Sequence, residues 1–316
     1  MHKQKIIAEG FTSKYGESHA EVNAVNAVKD KSILKEATIY VTLEPCSHFG
    51  KTPPCANLLA KHQFKNVVIG CIDTNTLVAG KGIEILRKSG INVIVGILEK
   101  KCQEHHKRFF TVQNKKRPYI ILKWAETTNG FLAPLQKEKQ SPIWISNKYS
   151  KQLVHKLRAN EHAILVGTNT VLADNPKLNV RSWSGKNPVR IVLDAKLRIP
   201  KDLNIFDNSV KTIIITASKT KNQELKHNLI FETIDFQKDI ASQICAVLQK
   251  HKIESVIIEG GTQTLQTFIN ENLWDEAFVF TGNKTFEKGI KSPFLSAKIT
   301  SEEKIKNDIL KIYRND

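Results

Sequence analysis

Short runs of aliphatic and β-branched residues, each the length of a strand, alternate with segments of helical spacing along most of this chain. The alternation occurs twice. Open sheets with helices packed on their faces are the architecture this rhythm permits. In the first stretch, strands are expected at residues 6–8, Thr38–Leu43, 66–70 and 91–95. Helices are expected at 20–28, at 55–63 after Pro53-Pro54, and at 83–88, where Gly90 stops the last of these. A closing helix over 98–110 completes the first set. Asn114-Lys115-Lys116-Arg117-Pro118 is polar, charged and ended by proline, as linkers are. The rhythm then restarts, with strands at 119–123, Ala163–Gly167, Val189–Leu193, 211–216, Ser255–Glu259 and 277–280. Helices at 148–158, 240–251 and Thr262–Asn270 lie between several of them. The expected organisation is two α/β domains, 1–113 and 118–316, with no internal repeat.

A length of 316 residues supports two hydrophobic cores. The longest apolar runs, such as Val67-Val68-Ile69 and Ile213-Ile214-Ile215, fall far short of the roughly 20 residues of a membrane span. The first residues, Met1-His2-Lys3-Gln4-Lys5-Ile6-Ile7-Ala8-Glu9, lack the apolar centre of a signal peptide. Five cysteines make an odd number for a disulfide framework. A cytoplasmic protein with no membrane contact is expected. The net charge of +17 (48 Lys+Arg against 31 Asp+Glu) is spread along the sequence, with no basic arm. It fits steering of small anionic ligands better than a dedicated nucleic-acid face.

One constellation carries hydrolytic chemistry. His19 and Glu21 open a helix, Cys46 follows a strand end at Glu44-Pro45, and Cys55 opens the next helix. One histidine and two cysteines suit zinc and leave a fourth tetrahedral position for water, as in a catalytic site. Glu21 stands where a proton carrier is needed, and the set is that of a zinc nucleobase deaminase. Eight residues separate the two cysteines, where nucleic-acid deaminases usually have two.

The long loop Thr42-Leu43-Glu44-Pro45-Cys46-Ser47-His48-Phe49-Gly50-Lys51-Thr52-Pro53-Pro54-Cys55 resembles the signature of the bifunctional riboflavin biosynthesis deaminase-reductases, the RibD family. Asp73-Thr74-Asn75-Thr76-Leu77-Val78-Ala79-Gly80-Lys81-Gly82 is similar to that family's Asp-Pro-Asn-Pro-x-Val-x-Gly segment, with threonine at both prolines. The resemblance implies a cytidine-deaminase-like three-layer domain followed by a dihydrofolate-reductase-like α/β domain. It implies Zn2+ on His19, Cys46 and Cys55, with Glu21 as proton shuttle. The implied substrate is a diamino-hydroxypyrimidine bearing a phosphoribosylamino group. Family members begin with a helix, a strand and a Pro-Asn-Pro-x-Val-Gly loop ahead of the counterpart of residues 5–10, and these have no counterpart here. A start placed too late is the expected explanation; a shortened chain or an impaired deaminase are the others.

In the second stretch no Gly-x-Gly-x-x-Gly follows a first strand, which disfavours a Rossmann domain. Ile258-Glu259-Gly260-Gly261-Thr262-Gln263-Thr264-Leu265 reads instead as a strand entering a helix through two glycines, a place where phosphate can approach. The family resemblance extends over Lys123-Trp124-Ala125-Glu126-Thr127-Thr128-Asn129-Gly130, Trp144-Ile145-Ser146 and Leu157-Arg158-Ala159. It continues over Gly167-Thr168-Asn169-Thr170-Val171-Leu172-Ala173-Asp174-Asn175-Pro176 and Leu178-Asn179-Val180-Arg181. It implies NADPH as hydride donor, contacted by Ala125, Trp144, Thr170, Asp174 and the turn of Gly261, Thr262, Gln263, Thr264, Leu265, Gln266 and Thr267. It implies substrate contacts from Arg158, Leu178, Arg181 and Glu259, the arginines gripping the ribosyl phosphate. The expected whole is a two-step enzyme and a homo-oligomer. The alternatives are a reductase carrying an impaired deaminase domain and a nucleic-acid deaminase.

Overall fold

The apolar runs form the centres of two separate sheets in the computed structural model of the chain, which describes residues 1–14, 16–75, 78–218 and 228–315. They fall in two units, Met1–Lys116 and Arg117–Asp316. Among the described residues no helix is long and apolar enough to cross a membrane.

The first unit runs α1 (Ala20–Ala27), β1 (Thr38–Leu43), α2 (Cys55–Lys61), β2 (Asn66–Cys71), α3 (Lys81–Lys88), β3 (Asn92–Val95), α4 (Glu99–His105) and α5 (Lys107–Lys115). The strands are parallel in the order β1-β2-β3. Alternate residues of β2 face opposite ways. Val67 and Ile69 pack with Val25 of α1, Leu59 of α2 and Ile83 and Leu86 of α3. Gly70 faces the other side, where a Cβ would come within 2.2 Å of Cys102 Sγ on α4. Helices therefore lie on both faces of the sheet, which makes three layers.

Two expectations change. Residues 6–8 form no ladder; the bridge here is His2 with Lys5, across a turn with positive φ at Lys3 and Gln4. An extended run becomes a strand only beside a backbone partner, and residues 6–10 instead line a cavity together with β1. The closing helix is two helices, which break at His106 (φ −96°, ψ 14°), where Nε2 lies 2.9 Å from Thr42 Oγ1. The second continues through Asn114 and Lys115, into the segment that reads as a linker. Of the stretch 73–82, Thr76 and Leu77 lie outside the described residues.

The second unit contains β4 (Tyr119–Thr127), β5 (Phe131–Pro134), α6 (Lys148–Asn160), β6 (Ala163–Gly167), α7 (Thr168–Asp174), β7 (Val189–Leu193), β8 (Thr212–Thr216) and β9 (Leu229–Thr233). It continues with α8 (Ile240–Lys250), β10 (Ser255–Glu259), α9 (Thr262–Asn270), β11 (Glu276–Gly282), β12 (Gly289–Lys291), β13 (Ile299–Ile305) and β14 (Asp308–Arg314). The main sheet has the order β13-β14-β11-β4-β10-β6-β7-β8-β9, parallel from β11 to β9, with β14 and β13 added antiparallel at one edge. β5 pairs with β12 separately. The central strands are buried on both faces, as parallel strands covered by helices are. Ala163 and Leu165 join the cluster containing Leu248 and Phe268 of α8 and α9, while Ile164 and Val166 join the one containing Val171 of α7. The buried Arg117 binds both oxygens of Asp275 (2.6 and 2.9 Å), and Asp275 Oδ2 also accepts from Ile120 N (2.9 Å). That pairing fixes the start of the unit onto the sheet.

Candidate active sites

Helix and strand ends bring the first constellation together. His19 is the residue before α1, and Glu21 lies in its first turn. Cys55 is the first residue of α2, set there by Pro54 in extended conformation. Cys46 stands three residues past the end of β1. His19 Nδ1 is 3.6 Å from Cys46 Sγ and 3.4 Å from Cys55 Sγ, and all three ligand atoms lie within 4.8 Å of one another. A tetrahedral zinc with bonds of about 2.3 Å to sulfur and about 2.0 Å to nitrogen spaces such atoms about 3.5 Å apart. The donor set fits zinc in both chemistry and spacing.

The charges agree. Cys55 donates its backbone N–H to Cys46 Sγ (3.3 Å). Hydrogen bonding from Cys55 outweighs burial and brings the Cys46 thiol down to about 5, while the Cys55 thiol is pushed up by its bond to Cys46 and by burial. Two adjacent sulfurs hold one negative charge readily and a second only with a cation between them. Burial, aided by Cys46, raises the Glu21 carboxyl above its ordinary value against hydrogen bonding and His19. A cavity of about 770 Å³ opens here, lined by His19, Glu21, Cys46, His48, Asp73 and Asn75 among others. A second acid, Glu44, is buried and accepts hydrogen bonds from four backbone amides beside the site. Its place directly before Pro45-Cys46, one residue past the end of β1, was the available sequence signal.

The second site lies at the carboxyl ends of the parallel strands, where open α/β sheets bind ligands. A cavity of about 570 Å³ is lined by Ala125, Trp144, Thr170, Asp174, Leu178 and Arg181, together with Arg158, Glu259 and the Gly260–Gly261 turn. Gly260 and Gly261 both have positive φ (94° and 75°), and a Cβ on Gly260 would come within 2.9 Å of the Thr170 side chain. That cradle keeps backbone amides open to a close-approaching phosphate, so a dinucleotide fits. Trp144 is 48% exposed, with Lys151 Nζ 3.7 Å from its ring centroid, and Lys284 Nζ donates to its carbonyl (2.6 Å). Asp174 is ion-paired with Lys137.

The structure places the expected residues at different distances from the cavity. From the turn of seven residues, Gly261 and Thr262 line the cavity, whereas Gln263, Thr264, Leu265, Gln266 and Thr267 do not. Thr264 stands against Gly167, Leu265 is fully buried in the core, and Gln266 is bonded to Asn270 and Phe294. A helix turns successive side chains through about 100°, so one face cannot carry all seven. Arg158 also differs from a free phosphate grip: its Nε and Nη2 donate to the two oxygens of Glu259 (3.2 and 2.6 Å). Two opposite charges sharing a desolvated pocket pair with each other.

Lys123, which carries no expected role, stands directly across the ladder from Glu259. Burial raises the Glu259 carboxyl, but Arg158 and Lys123 outweigh this and hold it at about 2. Desolvation lowers the Lys123 ammonium, opposed by Glu259. His155 Nδ1 accepts from Arg181 N (3.1 Å), and burial with Arg158 and Arg181 brings this imidazole down to about 4.

Comparison with known proteins bears on each of the two units. Residues 1–71 match the cytidine and deoxycytidylate deaminase zinc-binding region, and residues 118–307 match the RibD C-terminal domain. A riboflavin biosynthesis protein RibD from Aquifex aeolicus is 38% identical over 288 residues, covering 90% of this chain and 80% of its own length. One from Bacillus amyloliquefaciens is 37% identical over 282 residues, covering 87% and 75%. The chain belongs to the RibD family. A solved diaminohydroxyphosphoribosylaminopyrimidine deaminase/5-amino-6-(5-phosphoribosylamino)uracil reductase from Thermotoga maritima superposes with a TM-score of 0.88 at 35% identity, over 99% of this chain and 90% of that one. The Saccharomyces riboflavin biosynthesis reductase Rib7 shares the fold of 67% of the chain, at 19% identity and a TM-score of 0.53. As a RibD-family member the chain is a bifunctional enzyme of riboflavin biosynthesis, a zinc-dependent deaminase joined to an NADPH-dependent reductase, acting on a small phosphorylated pyrimidine.

Proposed function

We propose that residues 1–113 deaminate 2,5-diamino-6-(5-phosphoribosylamino)pyrimidin-4-one and that residues 118–316 then reduce the ribosyl group of the product to ribityl. The observation that carries the first step is the pair of His19 Nδ1 distances to Cys46 and Cys55, 3.6 and 3.4 Å, with the half-buried Glu21 beside them. Zinc held by these three side chains would lower the pKa of a water to about 7. Glu21 takes the proton of the attacking water and delivers it to the departing amine, so one water is consumed and one ammonia leaves. The α1 and α2 N-termini hold His19 and Cys55 in place, which removes the entropy of assembling the donors.

In the second cavity NADPH would supply a hydride to the sugar C1 of the ring-opened ribosylamine. Ala125, Trp144, Thr170, Asp174 and the Gly261–Thr262 turn hold the donor. Leu178 and Glu259 face the acceptor, and Arg158 keeps Glu259 ionised and oriented. Arg181, exposed at the rim, takes the ribosyl phosphate. Its backbone is fixed by His155 and its Nη1 by Asn179 Oδ1 (2.8 Å).

A cytoplasmic location, no nucleic-acid or membrane partner, and a homo-oligomer belong to the same proposal. Supporting them are the odd cysteine count, the dispersed charge, and the apolar Leu135, Ile290 and Phe294 exposed around the β5–β12 pair. Incubating the purified chain with the pyrimidine phosphate and NADPH tests the reading. Ammonia release followed by coenzyme oxidation is expected, and absence of ammonia contradicts the first step.

A further inference from the structure

Glu44 is neither a metal donor nor a proton carrier, yet the residue is only 3% exposed. Oε2 accepts from the backbone N–H of Asp73 (3.3 Å) and Gly80 (3.0 Å), and Oε1 from Gly82 (3.0 Å) and Ile83 (3.3 Å). Its own N–H donates to Cys71 O (3.0 Å). One side chain thus joins the Glu44–Cys46 end of β1, the segment after β2, and the first turn of α3. Gly80 is the N-cap of α3 and has no side chain with which to cap it, so the carboxylate from another strand does so. The junction has no slack: a Cβ on Gly82 would come within 2.1 Å of Pro45 O and 3.1 Å of Glu44 Oε1. Asp73 Oδ1 accepts from Asn75 N (2.7 Å), so these two wall residues are coupled locally. Both line the cavity that also holds His19, Glu21 and Cys46.

We propose that Glu44 is a positioning residue of the deaminase. It fixes the Asp73–Asn75 wall at one distance from Cys46, so that the wall holds a pyrimidine over the metal-donor cluster with equal strength in the ground state and the transition state. The proposal rests on the substrate reading of this cavity given above. Loosening such a wall weakens binding in the ground state and the transition state alike, which raises KM and leaves kcat nearly unchanged.

Glu44→Gln keeps the shape but presents an NH2 group to amides that need an acceptor. With the purified variant, metal analysis should still find zinc, and reductase turnover should be unchanged. The KM for the pyrimidine in ammonia release should rise about tenfold, while kcat changes less than about threefold. Gly82→Ala, which crowds the junction from the other side, should give the same split. Asn75→Ala, which leaves the junction intact, should raise KM by itself. Combined with Glu44→Gln it should add little, because both act through one wall.

An unchanged KM in zinc-loaded Glu44→Gln, a fall in kcat alone in step with lost folded protein, or full additivity in the double variant each overturns the proposal. If neither Glu44→Gln nor Gly82→Ala folds, an unchanged KM in Asn75→Ala does so. Absence of ammonia release by the unaltered chain identifies a failure of the substrate reading instead, and removes this proposal with it.

Discussion

Glu21 and His155 show how burial sets the two sites to different tasks. Glu21 is a desolvated acid whose carboxyl is raised, next to three metal donors. Glu21→Gln should preserve zinc binding and the reductase while lowering ammonia release by about two to four orders of magnitude, measured by coupled ammonia assay and metal analysis. His155 is a buried base that accepts from the Arg181 backbone, and burial together with Arg158 and Arg181 lowers it to about 4, against the opposing pull of Glu259. An unfolded histidine binds a proton near pH 6.5, which the folded one refuses until about 4. Between those values the unfolded chain holds more protons, so stability falls as pH drops. The thermal transition of the second unit should shift downward from pH 6.5 to 4.5, and the shift should shrink in His155→Gln. The metal donors were legible as residue types at set spacings. The Arg158–Glu259 pair was not, because its partners stand 101 positions apart and nothing local in either segment signals the other.

At the scale of elements, the Gly260–Gly261 entry to α9 is the clearest case of backbone set by function. Gly260→Ala would force a side chain into a position with φ 94° and against Thr170. It should weaken NADPH binding at least about tenfold by fluorescence titration, while ammonia release is unaffected. Strands with continuous apolar runs, such as Ala163–Gly167 and Ser255–Glu259, were readable end to end because both of their faces are buried. The β13–β14 hairpin was not. Ile299–Ile305 is exposed except at its last residue and carries two glutamates and a lysine, and the turn at Lys306 (φ 60°) has no glycine to mark it. Residues 6–8 failed in the opposite sense. They have the composition of a strand, and composition does not supply a backbone partner.

For the whole molecule, the two cavities draw on separate sheets, separate cores and separate donor sets. Each activity should therefore survive loss of the other. Arg181→Ala should raise the reductase KM for the phosphorylated substrate about tenfold or more without altering ammonia release, as steady-state kinetics on each step would show. Cys55→Ser should lower the zinc content and remove deamination only.

The most direct measurement takes one preparation through chelation and zinc restoration, with ammonia release and NADPH oxidation followed in parallel, the second on pre-formed deaminated substrate. Ammonia release should disappear with the metal and return with it, while NADPH oxidation holds constant throughout. Deamination persisting in zinc-free protein, or both activities failing together, would contradict two independent sites and the role given to His19, Cys46 and Cys55.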